Sequence, residues 1–214
     1  AGSVAVHDGT AAFASRGLVL SFFGKSSHAS QPENGHNPAR AISKLIIDIP
    51  ELTAREDHRG IVMATVVCVR IGEEAFGTNA GFGQLMLTIR AEFESELDAL
   101  DSEICARARA YARQDGITNV EIQYRDSFPE TRNTPDAVAA VRKARLECGL
   151  PEARWDEPFR SSEDFGCYTK LTSGALFYIG CGTRHAKLHT REYDFNDEII
   201  EPAVDMMFRL AQDA

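Results

Sequence analysis

The sequence lacks the features that would direct it to a membrane or to nucleic acid. Its apolar runs all fall short of the ~20 residues that a membrane-spanning helix needs. Residues 1–10 contain neither a basic nor an apolar stretch, so no signal peptide is predicted. Lys and Arg number 23 against 32 Asp and Glu, and the net charge of −9 disfavours polyanionic partners. We therefore expect a cytoplasmic protein that has neither nucleic acid nor membrane as a partner.

The sequence is also poor in short motifs for metal, nucleotide or disulfide chemistry. Its five cysteines include no CxxC pair, and their odd number predicts reduced thiols instead of a disulfide framework or a zinc knuckle. The P-loop, GxGxxG, GxSxG and HExxH patterns are all absent. The function must therefore be sought in the overall organisation and in isolated polar segments.

Residues 17–125 alternate between strand and helix patterns. Strands are predicted at 17–24, 61–71, 83–93 and 120–125. A first helix is predicted to begin at Asn37-Pro38, as an N-cap followed by a first-turn proline, and to end or bend near Pro50. A second helix is predicted after Ser95, ending at Gly116. The segment 61–71 is apolar on both faces, which is typical of a central strand.

This β-α-β-β-α-β order predicts an α+β fold of the ferredoxin-like type. Short loops and right-handed crossovers bring the four strands into one sheet with both helices on one face. The other face of the sheet remains open to two interpretations. It docks against a partner or another domain, or it is a polar, solvated surface.

Residues 126–214 carry too few elements for a complete α/β domain. A helix is predicted from Thr134-Pro135 to Gly149, a strand at 175–180, and a last helix whose regular part starts near Glu201 after a turn at 197–200. Ser162 is placed to cap a short helix that ends at Lys170. These elements predict part of a domain.

Three polar segments carry candidate functional residues. His28 follows the first predicted strand in a loop of small residues, where an imidazole either approaches a ligand or is merely solvated. His185 and His189 have a spacing that shares one face only on a helix, whereas their surroundings predict a loop. Ser162 and Glu163 could mark an anion-binding helix N-terminus, but ordinary capping explains them as well. Spacing alone does not separate these alternatives.

Two segments in a fixed order are the most specific part of the sequence. They are SSEDF at 161–165 and, after an apolar strand that ends in glycine, Leu188-His189 with YDFND at 193–197. Together with residues 1–20, 24–42 and 83–90, they resemble the zinc aminoacylase, amidohydrolase and carboxypeptidase family of metallopeptidases. The nearest branch is that of hippurate hydrolase and the plant indole-acetyl-amino-acid hydrolases. The resemblance covers nearly all of the chain.

The resemblance implies a division into two domains. In such enzymes a ferredoxin-like lid or dimerisation domain is inserted into a larger α/β zinc-peptidase catalytic domain. Residues 17–125 are then the lid, and 1–16 with 126–214 are the C-terminal part of an incomplete catalytic domain. Its N-terminal part, with most metal ligands and the general-base glutamate, would precede Ala1. The family binds two divalent metal ions, usually zinc with manganese or cobalt as substitutes, and we expect none to be held stably by this chain alone.

The resemblance also assigns roles to the histidines. His189 matches the C-terminal metal ligand. His28 matches the lid histidine that reaches into the partner subunit's active site and polarises the scissile carbonyl. His185 matches no ligand of the family, and we expect it at the pocket rim or in a structural role.

Substrate contacts are implied at four further positions. Ser162 and Glu163 match the loop that flanks the substrate pocket, and Arg90 matches an arginine that can hold a substrate carboxylate. Asn79 matches a substrate-binding asparagine, although this chain has Asn-Ala-Gly-Phe at 79–82 where the family often has Asn-Val-Ile-Pro. The spacing from there to Arg90 is also shorter than in the family.

The main hypothesis is therefore a homodimeric, metal-dependent amidohydrolase that cleaves the amide bond of N-acyl amino acids or similar small amides and peptides. The alternative is a non-catalytic ferredoxin-like module for regulation or dimerisation. The sequence upstream of Ala1 discriminates them, because a preceding segment of ~110–180 residues rich in His, Asp and paired Glu would complete an enzyme.

Overall fold

The structure is a computed structural model that describes residues 1–183, 186 and 188–212. Its contacts divide the chain into two compact units, Phe13–Pro129 and Ala1–Ala12 together with Glu130–Ala214. The strands in chain order are β1 Val4–Val6, β2 Gly9–Ala12, β3 Ala14–Phe23, β4 Ser27–His28, β5 Val62–Ile71, β6 Thr78–Asn79, β7 Phe82–Ala91, β8 Asn119–Phe128, β9 Thr131–Asn133 and β10 Phe177–Ile179. The α-helices are α1 Ala39–Thr53, α2 Glu94–Gln114, α3 Pro135–Glu147, α4 Gly166–Thr169 and α5 Ile200–Gln212.

The unit Phe13–Pro129 is built on an antiparallel sheet with the strand order β5-β7-β3-β8. Every second residue of β7 is buried, as its alternating pattern predicts, and its inward side chains meet those of α1 and α2. Leu18, Leu87, Ile42 and Ile104 are among the fully or almost fully buried side chains of this core. The predicted ferredoxin-like α+β fold is confirmed.

Strand β5 corrects one prediction about this sheet. Its apolar character on both faces predicted a central strand, but β5 lies at the edge and pairs with β7. Val66, Val67 and Val69 are exposed there, and the register shifts between Val66 and Cys68. The pattern of apolar residues shows which faces of a strand are apolar. It does not show whether the strand lies at the centre or at the edge of the sheet.

The helix ends of this unit differ from the predictions by a few residues. Asn37 accepts a hydrogen bond from the Ala39 N–H at 2.9 Å, but the N-cap residue of α1 is Pro38, one position later than predicted. Pro50 lies inside α1, which continues to Thr53. Ser95 lies inside the first turn of α2, whose N-cap residue is Phe93. Packing of the apolar face therefore outweighs the proline and serine signals.

The second unit joins short sheets to α3 and α5. β1 pairs with β10, and β2 pairs with β9, both antiparallel. Val4, Val141, Ala144 and Met206 form its buried cluster. Helix α3 starts after Thr134, and a turn at Asp197–Ile199 leads into α5, as predicted.

One prediction for this unit was wrong. Ser162 was expected to cap a helix that reaches Lys170, but α4 begins at Gly166 after the N-cap residue Phe165. α4 is a single turn of four residues, and at its start the Cys167 N–H donates to the Asp164 carbonyl at 2.9 Å.

Within the described residues, none of the helices combines the length and the hydropathy that crossing a membrane requires.

Candidate functional site

His28 lies on a short two-stranded antiparallel ribbon at one end of the main sheet. Its two strands are not consecutive, because α1 and β5 come between them in the chain. Ser27 and His28 of β4 pair with Asn79 and Thr78 of β6. The Ala29 N–H extends the pairing by donating to the Gly77 carbonyl at 3.0 Å. The His28 side chain is exposed at the surface of this ribbon. For brevity we call this ribbon with its flanking residues, 24–36 and 77–82, the His28 hairpin.

The hydrogen bonds of His28 determine which ring nitrogen carries the proton. The Ser30 backbone N–H donates to Nδ1 at 3.1 Å, and the Ser30 hydroxyl lies 2.7 Å from the same atom. A backbone N–H can only donate, so Nδ1 is an acceptor in this geometry. The neutral ring then carries its proton on Nε2, which becomes a hydrogen-bond donor for an oxygen of a ligand.

Asn79 lies inside the hairpin, where its side chain bonds to other parts of it. Its Oδ1 accepts from Asn37 Nδ2 at 2.7 Å. Its Nδ2 donates to Ser27 Oγ at 3.1 Å and to the Pro32 carbonyl at 3.4 Å. The predicted substrate contact therefore connects three segments of the loop that carries His28.

Glycines allow these segments to approach closely. A Cβ at Gly24 would lie 1.9 Å from the His36 carbonyl oxygen, and one at Gly81 would lie 2.3 Å from the Ser26 nitrogen. Neither position can accept a side chain without displacing backbone. Gly24 and Gly81 are thus required by the close packing within the hairpin.

Arg90 lies at the end of β7 that is remote from the His28 hairpin. It pairs with Ser15 of β3 and with Met63 of β5, and it lies between the buried Ile89 and Ala91. Arg90 is eight positions after Phe82 in β7, a distance of about 27 Å in an extended strand. One chain therefore does not bring Arg90 and His28 to the same point.

Glu163 lies near an aromatic cluster in the other unit. The cluster consists of Trp155, Phe159 and Tyr178, whose ring centroids are 4.5 to 5.1 Å apart. Burial, followed by the negative charge of Glu163, raises the pKa of Tyr178 to about 12. Ser162 is partly buried beside Glu163 in the loop before α4. The sequence offered one signal for this cluster, the single Trp in a polar stretch.

His189 occupies an exposed turn with a φ of 64°. This left-handed conformation costs free energy for a residue with a side chain, and such strain often marks functional positions. His185 lies outside the described residues, so the geometry of the HxxxH pair is not part of the structure. A cleft of about 620 Å³ next to this loop includes Glu192 and Asp194 in its lining.

A group of three or more His, Cys, Asp or Glu residues suited to a metal ion does not occur among the described residues. One imidazole does not hold a catalytic zinc ion, since such sites use three protein ligands. The described residues therefore do not by themselves fit the metal pair that the resemblance implies.

Comparison with known proteins identifies the family. The profile of the peptidase dimerisation domain of M20 peptidases matches residues 10–116, half of the chain. The chain belongs to the M20 peptidase dimerisation-domain family. In this M20 chain, the matched segment contains strands β3, β5 and β7 of the main sheet, helices α1 and α2, and the whole His28 hairpin.

Two curated relatives of this M20 chain are a deacetylase and a hydrolase by name. An N-acetyldiaminopimelate deacetylase of Bacillus licheniformis is 26% identical over 89% of this chain and 50% of its own length. A hippurate hydrolase of Campylobacter jejuni is 23% identical over 90% of this chain and 50% of its own length. The chain thus spans about half the length of these relatives.

A solved structure shows the same fold. The YXEP protein of Bacillus subtilis, described as a dinuclear metal-binding peptidase of the M20 family, superimposes with a TM-score of 0.76. The two are 16% identical, and the match covers 98% of this chain and 52% of the other. This likeness supports the fold of both units of the M20 chain.

Proposed function

We propose that this chain is the dimerisation domain and the C-terminal part of the catalytic domain of a metal-dependent amidohydrolase. Phe13–Pro129 contains the dimerisation domain, and the second unit supplies part of the catalytic domain. The substrate class is N-acyl amino acids or similar small amides and peptides. Membership of the M20 family, whose curated relatives include deacetylases and hydrolases of this kind, carries the proposal.

His28 is the catalytic residue that this chain contributes. Its Nε2–H, the donor left when Ser30 occupies Nδ1, donates to the scissile carbonyl oxygen. As that oxygen gains negative charge in the transition state, the hydrogen bond strengthens, which lowers the barrier. Because the hairpin is exposed, His28 can reach the active site of the partner subunit in a homodimer.

His189 is proposed as one ligand of a site for two divalent metal ions, zinc in preference to manganese or cobalt. Its strained, exposed backbone supports a functional role. The other ligands would come from residues other than those described, and the metal would supply Lewis-acid chemistry there. Ser162, Glu163 and Arg90 are proposed substrate contacts.

A hydrolysis assay on the intact protein tests the proposal. N-acetyl and N-benzoyl amino acids, supplied with Zn²⁺, Mn²⁺ or Co²⁺, should be cleaved to the free amino acid. The 214-residue chain alone is the control, and we expect no turnover above blank from it. Turnover by the isolated chain would contradict the proposed division of the metal site between this chain and other residues.

The alternative is a module that dimerises without catalysing a reaction. The observation that favours it is that the matched family profile is that of the dimerisation domain itself. An intact protein that dimerises and binds metal but cleaves no member of the substrate panel would support this alternative.

A further inference from the structure

We propose that Asn79 is a positioning residue that couples the His28 hairpin to the N-terminus of α1. The inference rests on the proposed function of His28. It assigns Asn79 to holding the hairpin instead of to binding substrate.

The orientation of the side-chain amides follows from backbone groups at both ends of the network. The Ala39 N–H can only donate, so the Asn37 atom that faces it at 2.9 Å is the oxygen. The Nδ2 of Asn37 then points to Asn79, whose facing atom must be Oδ1. Asn79 Nδ2 is thereby directed to Ser27 and to the Pro32 carbonyl, which can only accept. The two assignments agree.

This arrangement uses both N–H groups of Asn79. One donates to Ser27 Oγ and the other to the Pro32 carbonyl. A substrate carboxylate could be bound only after one of these bonds is broken. Gly35 also packs tightly against the network, since a Cβ at Gly35 would lie 2.7 Å from both Asn79 Nδ2 and Ser27 Oγ. Asn79 is therefore built into the hairpin.

The hairpin needs such an anchor because its strands are short. β4 and β6 contain two residues each, and a ladder of that length is at best marginally stable in water. Helix α1, in contrast, is held in the core by Ile42 and Leu45. The path from α1 through Asn37 and Asn79 to Ser27 therefore transmits the position of the helix to the residue next to His28.

Amide hydrogen exchange on the 214-residue chain tests the coupling without any activity measurement. The reporter is the Ala29 N–H, which bonds to the Gly77 carbonyl inside the hairpin. Asn79→Ala should speed its exchange about tenfold, as expected from losing one net hydrogen bond. Asn37→Asp should act in the same direction, because it keeps the acceptor for Ala39 but loses the donor to Asn79. Asn34→Ala, in the same loop but outside the network, is the matched control and should leave exchange unchanged.

Kinetics of the intact enzyme then separate positioning from substrate binding. Asn79→Ala should lower kcat by roughly 10- to 100-fold with little change in KM, because a misplaced His28 weakens only the transition state. Combined with His28→Ala, it should cause no further loss. A raised KM, or losses that multiply in the double variant, would assign Asn79 to substrate instead.

The two readouts distinguish the possible failures. Unchanged exchange of the Ala29 N–H in both Asn79→Ala and Asn37→Asp overturns the coupling itself, whatever the enzyme does. Full activity of His28→Ala overturns the proposed function of His28, and with it the catalytic purpose of Asn79.

Discussion

Arg16 of β3 and Asp101 of α2 form an ion pair in which Nη1 and Oδ2 are 2.5 Å apart and the Asp101 side chain is 8% exposed. Arg16 also binds Asp98 at 2.9 Å, and its guanidinium lies 5.3 Å from the centre of the Tyr124 ring. These contacts hold helix α2 against the sheet near the N-terminal end of β3.

Arg16→Met should lower the free energy of unfolding by roughly 2–3 kcal/mol. This is the lower part of the range for a buried ion pair that loses one partner, and we expect it because Arg16 is partly exposed. Urea denaturation measures the change. Arg16→Met/Asp101→Leu should recover most of the loss, since no unpaired charge remains buried. Arg55→Met, at an exposed pair with Asp57 in the same unit, is the control and should have no resolvable effect. Equal stability of the Arg16 and Arg55 variants would refute this account.

His58 should make the stability of the dimerisation domain depend on pH. The pKa of His58 is raised, first of all by its hydrogen bond to the Leu52 carbonyl. Burial opposes this effect, and the Glu96 carboxylate raises the pKa further. Both ring nitrogens lie 2.8 Å from these acceptors, so the protonated ring satisfies both. A folded-state pKa above the unfolded one means that the stabilisation is complete below about pH 6.5 and is lost as the pH rises through the folded value.

The comparison of wild type with His58→Gln isolates this contribution. Chemical denaturation between about pH 5.5 and pH 9 should show a stability difference that is larger at the acidic end. A difference that is constant with pH, or that grows as the pH rises, would contradict the assigned protonation.

The exposed edge of β5 is predicted to carry the homodimer contact. Val66, Val67 and Val69 are exposed there, and unpaired strand edges with apolar side chains favour pairing with another chain. Sedimentation should show a dimer at micromolar concentration. Val69→Lys should raise its dissociation constant by about tenfold or more, the effect of placing a charge in an apolar contact. Gln123→Lys, on the opposite edge strand β8, is the matched control, and a monomeric wild type would rule out the prediction.

His28 and His189 should fail in different ways in the intact enzyme. His28→Ala should lower kcat by roughly 10²–10³, the typical cost of one lost oxyanion donor, while metal content stays at the wild-type level. His189→Ala should lose metal and activity together, because a ligand is removed. Activity assays paired with metal analysis by mass spectrometry separate these results. Metal loss in His28→Ala would instead make His28 a ligand.

Subunit mixing tests whether His28 acts across the dimer. A His28→Ala subunit and a His189→Ala subunit, once exchanged, should restore part of the activity, because one site then combines an intact metal centre with an intact His28. Absence of recovery after verified exchange would place His28 at the site of its own chain.

Local patterns in the sequence predicted most of the strands and helices. The alternation along β7, the start of α1 shortly after Asn37 and the start of α3 at Pro135 all depend on residues that are close together in the sequence. Such patterns can be interpreted without knowledge of the rest of the chain, because backbone preference and side-chain direction are set locally. The ferredoxin-like order followed from them, whereas the resemblance to zinc amidohydrolases rested on the segments at 161–165, 188–189 and 193–197.

Tertiary structure alone decided which residues meet. The edge position of β5 and the distance between Arg90 and His28 depend on strand order, which periodicity does not encode. The partners Asn37 and Asn79 are 42 residues apart, and Arg16 and Asp101 are 85 apart. Hydrogen bonds require heavy atoms within about 3 Å, and only the packing of strands and helices brings such distant residues that close. Asn79 could therefore be singled out from the sequence, but its role in holding His28 emerged only from the folded hairpin.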